Sequence, residues 1–127
     1  MTAQRILELL DGRLLLGELP EEEIHSACGS DMMSDVLAFP KERMVLLTGL
    51  TNAHVMRTCE MLDVLLVVFV RGKIPGPDVL AEAEKRDIVV MATPYTLYEA
   101  CGRLYSNGLP SGVSTQEGRC GEWVQSH

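Results

Sequence analysis

The sequence predicts an α/β fold: a layered α/β/α domain whose mostly parallel central sheet is built from consecutive strand-helix units. Three observations carry this. Met44–Thr48, Leu65–Val70 and Ile88–Ala92 are short, almost continuously apolar runs, as expected of strands covered on both faces. Each ends in a small polar turn: Thr48-Gly49-Leu50-Thr51-Asn52, Arg71-Gly72-Lys73 and Thr93-Pro94-Tyr95-Thr96. A segment with helical apolar spacing follows each turn.

The elements follow in chain order. Ile6, Leu9 and Leu10 set a first helix over residues 3–10, stopped by Asp11-Gly12. Arg13–Gly17 is a short apolar strand, and Glu18–Glu23 an acidic, solvated loop. Ile24–Cys28 is a second, weakly alternating strand. Gly29-Ser30-Asp31 turns into a helix, with Ser30 or Asp31 accepting from its first free N–H groups. Met32, Met33, Val36 and Leu37 give that helix its apolar face, and Phe39-Pro40 closes it, because a residue before proline is pushed out of helical geometry.

In the repeat itself, Asn52 or Thr51 caps a helix that packs through Val55, Met56, Cys59 and Leu62. Leu65–Val70, rich in β-branched residues, belongs at the centre of the sheet. Pro77 suits the first turn of the next helix, which packs through Val79, Leu80 and Ala83 and ends at Lys85-Arg86, where positive charge suits the dipole. Thr96-Leu97-Tyr98-Glu99 is a capping-box pattern, with Thr93-Pro94 an alternative start one turn earlier. Leu97, Ala100, Cys101 and Leu104 line that helix, and Asn107-Gly108 stops it. Residues 1–109 make one domain. Residues 110–127 are Gly/Ser-rich and polar, and are expected to form a flexible tail or to dock through Trp123.

Composition bounds the function. A chain of 127 residues holds one domain, and 46% hydrophobic content argues against disorder. Aromatic residues are only 5%, so the core is aliphatic, with Met32, Met33, Met44, Met56, Met61 and Met91 as filler. A net charge of −7 disfavours nucleic acid and anionic lipid as partners. The longest apolar run, Val64–Val70, falls far short of the roughly 20 residues of a membrane helix. The first residues lack the layout of a secretory signal, and a cytoplasmic protein is expected. Cys28, Cys59, Cys101 and Cys120 form no CxxC, and disulfides are not expected in a reducing compartment.

No phosphate loop, GxGxxG, HExxH or GxSxG occurs. A metal site is not expected. His25 and Cys28 point to opposite faces of a strand, and His54 and Cys59 share a helix face poorly. No cofactor is expected either. For a nucleophile, Cys28 just before a helix start is the one favourable position, set against its ordinary role as a small buried residue. The arrangement that best suggests a site is the carboxyl edge of the sheet. Parallel strands with right-handed crossovers align the helix starts led by Gly29-Ser30-Asp31, Gly49-Leu50-Thr51-Asn52 and Thr93-Pro94-Tyr95-Thr96 on one edge. Arg71, Gly72 and Lys73 leave the central strand there. Free N–H groups, partial positive charge and two cations suit a phosphate or carboxylate. The candidate ligand residues are therefore Gly29, Ser30, Asp31, Gly49, Thr51, Asn52, Arg71, Gly72, Lys73, Thr93, Tyr95 and Thr96. The alternative reading is ordinary helix capping beside two solvated cations.

Thr48-Gly49-Leu50-Thr51-Asn52, Val68-Phe69-Val70-Arg71-Gly72-Lys73 and Thr93-Pro94-Tyr95-Thr96 together resemble a DRTGG domain, over about Ala3 to Leu109. Gly29-Ser30-Asp31-Met32-Met33-Ser34-Asp35 resembles that family's first glycine turn. The family's Asp-Arg pair is absent at the first turn, and its Thr-Gly-Gly becomes Arg71-Gly72-Lys73. The resemblance implies a divergent, stand-alone member, similar in fold to the N-terminal domain of HPr kinase/phosphorylase. It implies a regulatory or dimer-forming module without catalysis of its own. The functional expectation is a non-catalytic sensor of a small anionic effector, a nucleotide or phospho-metabolite, acting as a homodimer. The alternatives are a ligand-free interaction subunit of a larger enzyme or signalling complex and, behind it, a small enzyme using Cys28 or a carboxylate. Without a phosphate loop, kinase activity is not expected.

Overall fold

A computed structural model describes residues 1–38 and 42–111. The elements are α1 (Ala3–Leu9), β1 (Arg13–Leu16), β2 (Ser26–Gly29), α2 (Met33–Ala38), β3 (Met44–Thr48), α3 (Ala53–Glu60), β4 (Val64–Phe69), α4 (Pro77–Lys85), β5 (Val89–Ala92) and α5 (Leu97–Ser106). The strands form one sheet in the order β1-β5-β4-β3-β2, with β4 at its centre. Strands β2 to β5 run parallel, and β1 closes the β5 edge antiparallel.

The layering follows from connection handedness. The chain steps β2, β3, β4, β5 in one direction across the sheet, so three right-handed crossovers put α2, α3 and α4 on the same face. α5 leaves β5 for the other face and joins α1 there. Alternate strand residues feed the two cores. Val45, Leu47, Leu66, Val68 and Met91 pack under α1 and α5 with Ile6, Ala100 and Leu104. Met44, Leu46, Val67, Phe69 and Val90 pack under α2, α3 and α4 with Val36, Val55, Met56, Val79 and Ala83. Each fully buried aliphatic chain contributes about 1.5–3 kcal/mol. Leu65 is the exception to the alternation. The ladder jumps from Met44↔Val64 to Val45↔Leu66, leaving Leu65 as an extra, half-buried residue in a bulge.

Local chemistry sets the boundaries. Asn52 caps α3 through His54 N–H, Thr96 caps α5 through Glu99 N–H, and Pro77 opens α4. Only half of the capping box forms, because Glu99 turns to Arg103 at 3.4 Å. Thr93 does not start the helix earlier: its hydroxyl accepts from Tyr95 N–H and donates to the Leu10 carbonyl at 2.6 Å, tying β5 to the end of α1. Arg86, at the end of α4, pairs with Glu82 and with Glu60 on α3.

Several sequence expectations are corrected. Strand β2 begins at Ser26 rather than Ile24 and includes Gly29, whose place in the turn is lost to pairing with Leu47. Met32 and Met61 are 61% and 72% exposed and are not core filler, since each sits at a helix end beyond the packed face. Leu37 is likewise exposed: a two-turn helix buries one narrow stripe, here Met33 and Val36. Cys28 lies within β2, half-buried against the α2–α4 core, and not at a helix start. At the outer edge of β2, Ala27 N–H donates to the Pro110 carbonyl at 2.9 Å, so the chain stays docked at least to that residue. The expectations for Phe39-Pro40 and for residues 112–127, with Cys120 and Trp123, lie outside the described residues.

Candidate functional site

The ends of β2, β3, β4 and β5 lie along one rim, and α2, α3, α4 and α5 start there. The rim is built around Gly49. Asp31 does not cap its own helix, where Ser30 Oγ takes the Met32 N–H instead. Asp31 reaches across to β3: its Oδ1 accepts from Gly49 N–H at 2.7 Å and from Thr48 Oγ1 at 3.0 Å. Thr48 Oγ1 in turn accepts from Leu50 N–H. From the other side, Lys73 Nζ donates to the Gly49 carbonyl at 3.2 Å. A Cβ on Gly49 would stand 3.0 Å from Arg71 Nη2 and 3.5 Å from both Asp31 carboxylate oxygens. Three charged side chains thus close on the Gly49 backbone, and a Cβ there would press on the flexible end of Arg71 alone.

Arg71 and Gly72 both take left-handed backbone conformations, with φ of 59° and 67°. That tight turn lets Arg71 N–H donate to the Tyr95 carbonyl at 2.7 Å and Gly72 N–H to the Thr93 carbonyl at 2.8 Å. Two loops whose helices leave on opposite faces of the sheet are thereby joined past the strand ends. Left-handed geometry costs a non-glycine residue about 1 kcal/mol or more. Asp11, Arg43 and Asp87 share it at other turns, so it does not by itself mark a site.

The structure thus draws Asp31, Gly49, Arg71 and Lys73 into one cluster. Gly72, Thr93 and Tyr95 support it through the backbone. Tyr95 offers little of its ring, because the Arg103 guanidinium sits 4.1 Å above it. Asn52 and Thr96 spend their side chains on capping, and Ser30 on its own turn. Thr51 is half-buried beside the Gly49 turn. Gly29 stands apart. A Cβ there would come within 2.3 Å of Cys101 Sγ, so that glycine is explained by the approach of α5 to β2.

Charge at the rim is uneven. Among the described residues neither Arg71 nor Lys73 forms an ion pair. The Asp31 carboxylate already holds the Gly49 N–H, where an anion bound at the start of a helix would otherwise lie. An incoming anion therefore meets two cations beyond a fixed carboxylate. Among the described residues, cavities lie elsewhere: about 430 Å³ beside Gly17, Glu18, Glu84 and Asp87, about 150 Å³ between β2 and α5, and about 930 Å³ over the outer face of α5. The first carries three carboxylates and suits no anion.

Other chemistry finds less support. Among the described residues no group of three or more His, Cys, Asp or Glu side chains lies close enough to hold a metal ion. Burial pushes the Cys59 thiol up to about 12, so it is unreactive. Burial, and secondarily the nearby Cys28, raise the Cys101 thiol as well. No helix of the described residues is long and apolar enough to cross a membrane.

No family model and no curated protein matches the chain. A solved structure does: the CBS and DRTGG domains of the regulatory region of Clostridium perfringens pyrophosphatase, in complex with its activator, diadenosine tetraphosphate. The TM-score is 0.63 at 21% identity, covering 86% of this chain and 47% of that one. The fold is shared with that regulatory region. The present chain spans about half the length of the structure it matches, and identity at this level speaks for architecture alone.

Proposed function

We propose that the protein is a non-catalytic regulatory module that senses a small anionic effector, a nucleotide or phospho-metabolite, at the Gly49 rim. On this reading it is a divergent DRTGG domain, akin to the N-terminal domain of HPr kinase/phosphorylase, that works as a homodimer in the cytoplasm. The observation that carries the proposal is the pair of cations, Arg71 and Lys73, drawn against one glycine without a carboxylate ion pair among the described residues. The nucleotide activator bound in the pyrophosphatase regulatory region supports the choice of ligand class.

Isothermal titration calorimetry with ATP, AMP, diadenosine tetraphosphate and inorganic pyrophosphate tests it. Saturable binding of at least one, lost in the Arg71→Ala/Lys73→Ala double variant, is expected. No heat with any of them at millimolar concentration refutes the sensing role. The second reading, a ligand-free interaction subunit of a larger enzyme or signalling complex, is favoured by the exposed tyrosines of α5, Tyr98 and Tyr105.

A further inference from the structure

Helix α5 buries Ala100 and Leu104 against the sheet, and by helical periodicity Gly102 lies opposite them, at the middle of the outer face. Glycine is a poor helix residue, and among the described residues nothing calls for this one: a Cβ there would meet none of them within 4 Å. Tyr98 and Tyr105, four residues before it and three after, are 90% and 73% exposed. The result is a notch with an aromatic side chain at each end, in the floor of the 930 Å³ depression.

We infer that this face is the surface on which a second copy of the chain docks, α5 against α5, antiparallel across a two-fold axis near Gly102. This rests on the homodimer part of the reading above and is independent of the ligand. The occupant is chosen by symmetry and charge. The spacing of Tyr98, Cys101, Gly102 and Tyr105 reads the same in both directions, so an antiparallel copy lays each Tyr98 beside the other copy's Tyr105. An isologous interface needs that self-complementarity. Glu99 and Arg103, which pair within the helix, fall within one residue of each other's places across such an axis and flank the same side of the contact, so each charge lies near its opposite. In a chain of net charge −7, α5 is neutral, so two copies approach there without repulsion. The bare Cα of Gly102 lets the backbones close, while tyrosine supplies contact area at low entropic cost. One three-turn helix face is small beside the roughly 800 Å² per partner of a stable interface, so the dimer is a micromolar one.

Sedimentation velocity on the full chain, from about 5 to 500 µM, tests the assignment, with Gly102→Glu as the principal variant. The open space at Gly102 and the better helix propensity of Glu keep the protomer folded, which circular dichroism and the melting temperature check. The parent is expected to shift from monomer to dimer across this range. Gly102→Glu, and separately Tyr98→Ser/Tyr105→Ser, should weaken dimerisation at least tenfold. A folded Gly102→Glu variant that dimerises like the parent overturns this surface and leaves the homodimer reading standing. A parent that stays monomeric at 500 µM overturns both.

Discussion

Replacing Asp31 separates two effects that the rim geometry ties together. Its Oδ1 accepts from the Gly49 N–H and the Thr48 hydroxyl, both on buried residues. Hydrogen bonds to a charged acceptor are worth about 1.5–3 kcal/mol each. Asp31 itself is exposed, so water competes and the low end applies. Asp31→Ala strands the Gly49 donor and should cost about 2 kcal/mol, or about 6–8 °C in Tm for a domain of this size. Asp31→Asn keeps an oxygen acceptor and should stay within about 1 kcal/mol of the parent. Its effect on binding has the opposite sign. A carboxylate about 6 Å from a bound phosphate, at an effective dielectric near 60, repels it by about 1 kcal/mol. Asp31→Asn should therefore bind ATP about fivefold more tightly while melting almost where the parent does. Calorimetry and denaturant melts on the three proteins measure both quantities. Weaker ATP binding by Asp31→Asn, or an Asp31→Ala variant as stable as the parent, refutes the reasoning.

Four further outcomes follow from single contacts. Arg71→Gly relieves a left-handed arginine, so it should match or exceed parental stability within about 1 kcal/mol, yet lose about tenfold or more in ATP affinity by calorimetry. Gly29→Ala drives a methyl into Cys101 Sγ and should cost about 1–3 kcal/mol in urea melts, mostly recovered in Gly29→Ala/Cys101→Ala. The Thr58 hydroxyl is buried without a hydrogen-bond partner among the described residues, so Thr58→Val should stabilise by about 1 kcal/mol, read as a higher urea midpoint. Cys59, with its thiol near 12, should resist a thiol reagent at pH 8 in the native state, with peptide mapping showing label only after unfolding. Because the unfolded thiol ionises near 9.0, the stability Cys59 contributes is complete below pH 9 and is lost as pH rises towards 12.

Much of the architecture was legible because local patterns agreed with the global fold. The run Val67-Val68 could only be a central strand, and the caps Asn52, Pro77 and Thr96 announce their helices from sequence alone. Edge elements were harder. β2 pairs on one side with β3 and makes a further bond to Pro110, so its boundary depends on partners that no local pattern reveals. Met32 and Met61 are apolar letters at helix ends, where composition cannot tell core from surface. At the rim, sequence brought the turns to one edge of the sheet but did not show their wiring. The reach of Asp31 across to Thr48 and Gly49 spans 17 and 18 residues and needs the parallel register of β2 and β3 to exist. The role of Gly29 was misplaced for the same reason: its constraint comes from Cys101, far along the chain. Gly102 was the signal passed over, a glycine in mid-helix between two tyrosines on an otherwise polar face.

The central claim is that anion recognition resides at the Gly49 rim. Backbone amide NMR during an ATP titration tests it most directly. The account predicts saturable shifts confined to Ser30, Asp31, Gly49–Asn52, Arg71–Lys73 and Thr93–Thr96. Shifts clustered on the outer face of α5 or beside Glu84 and Asp87 instead, or none at millimolar ATP, would contradict it.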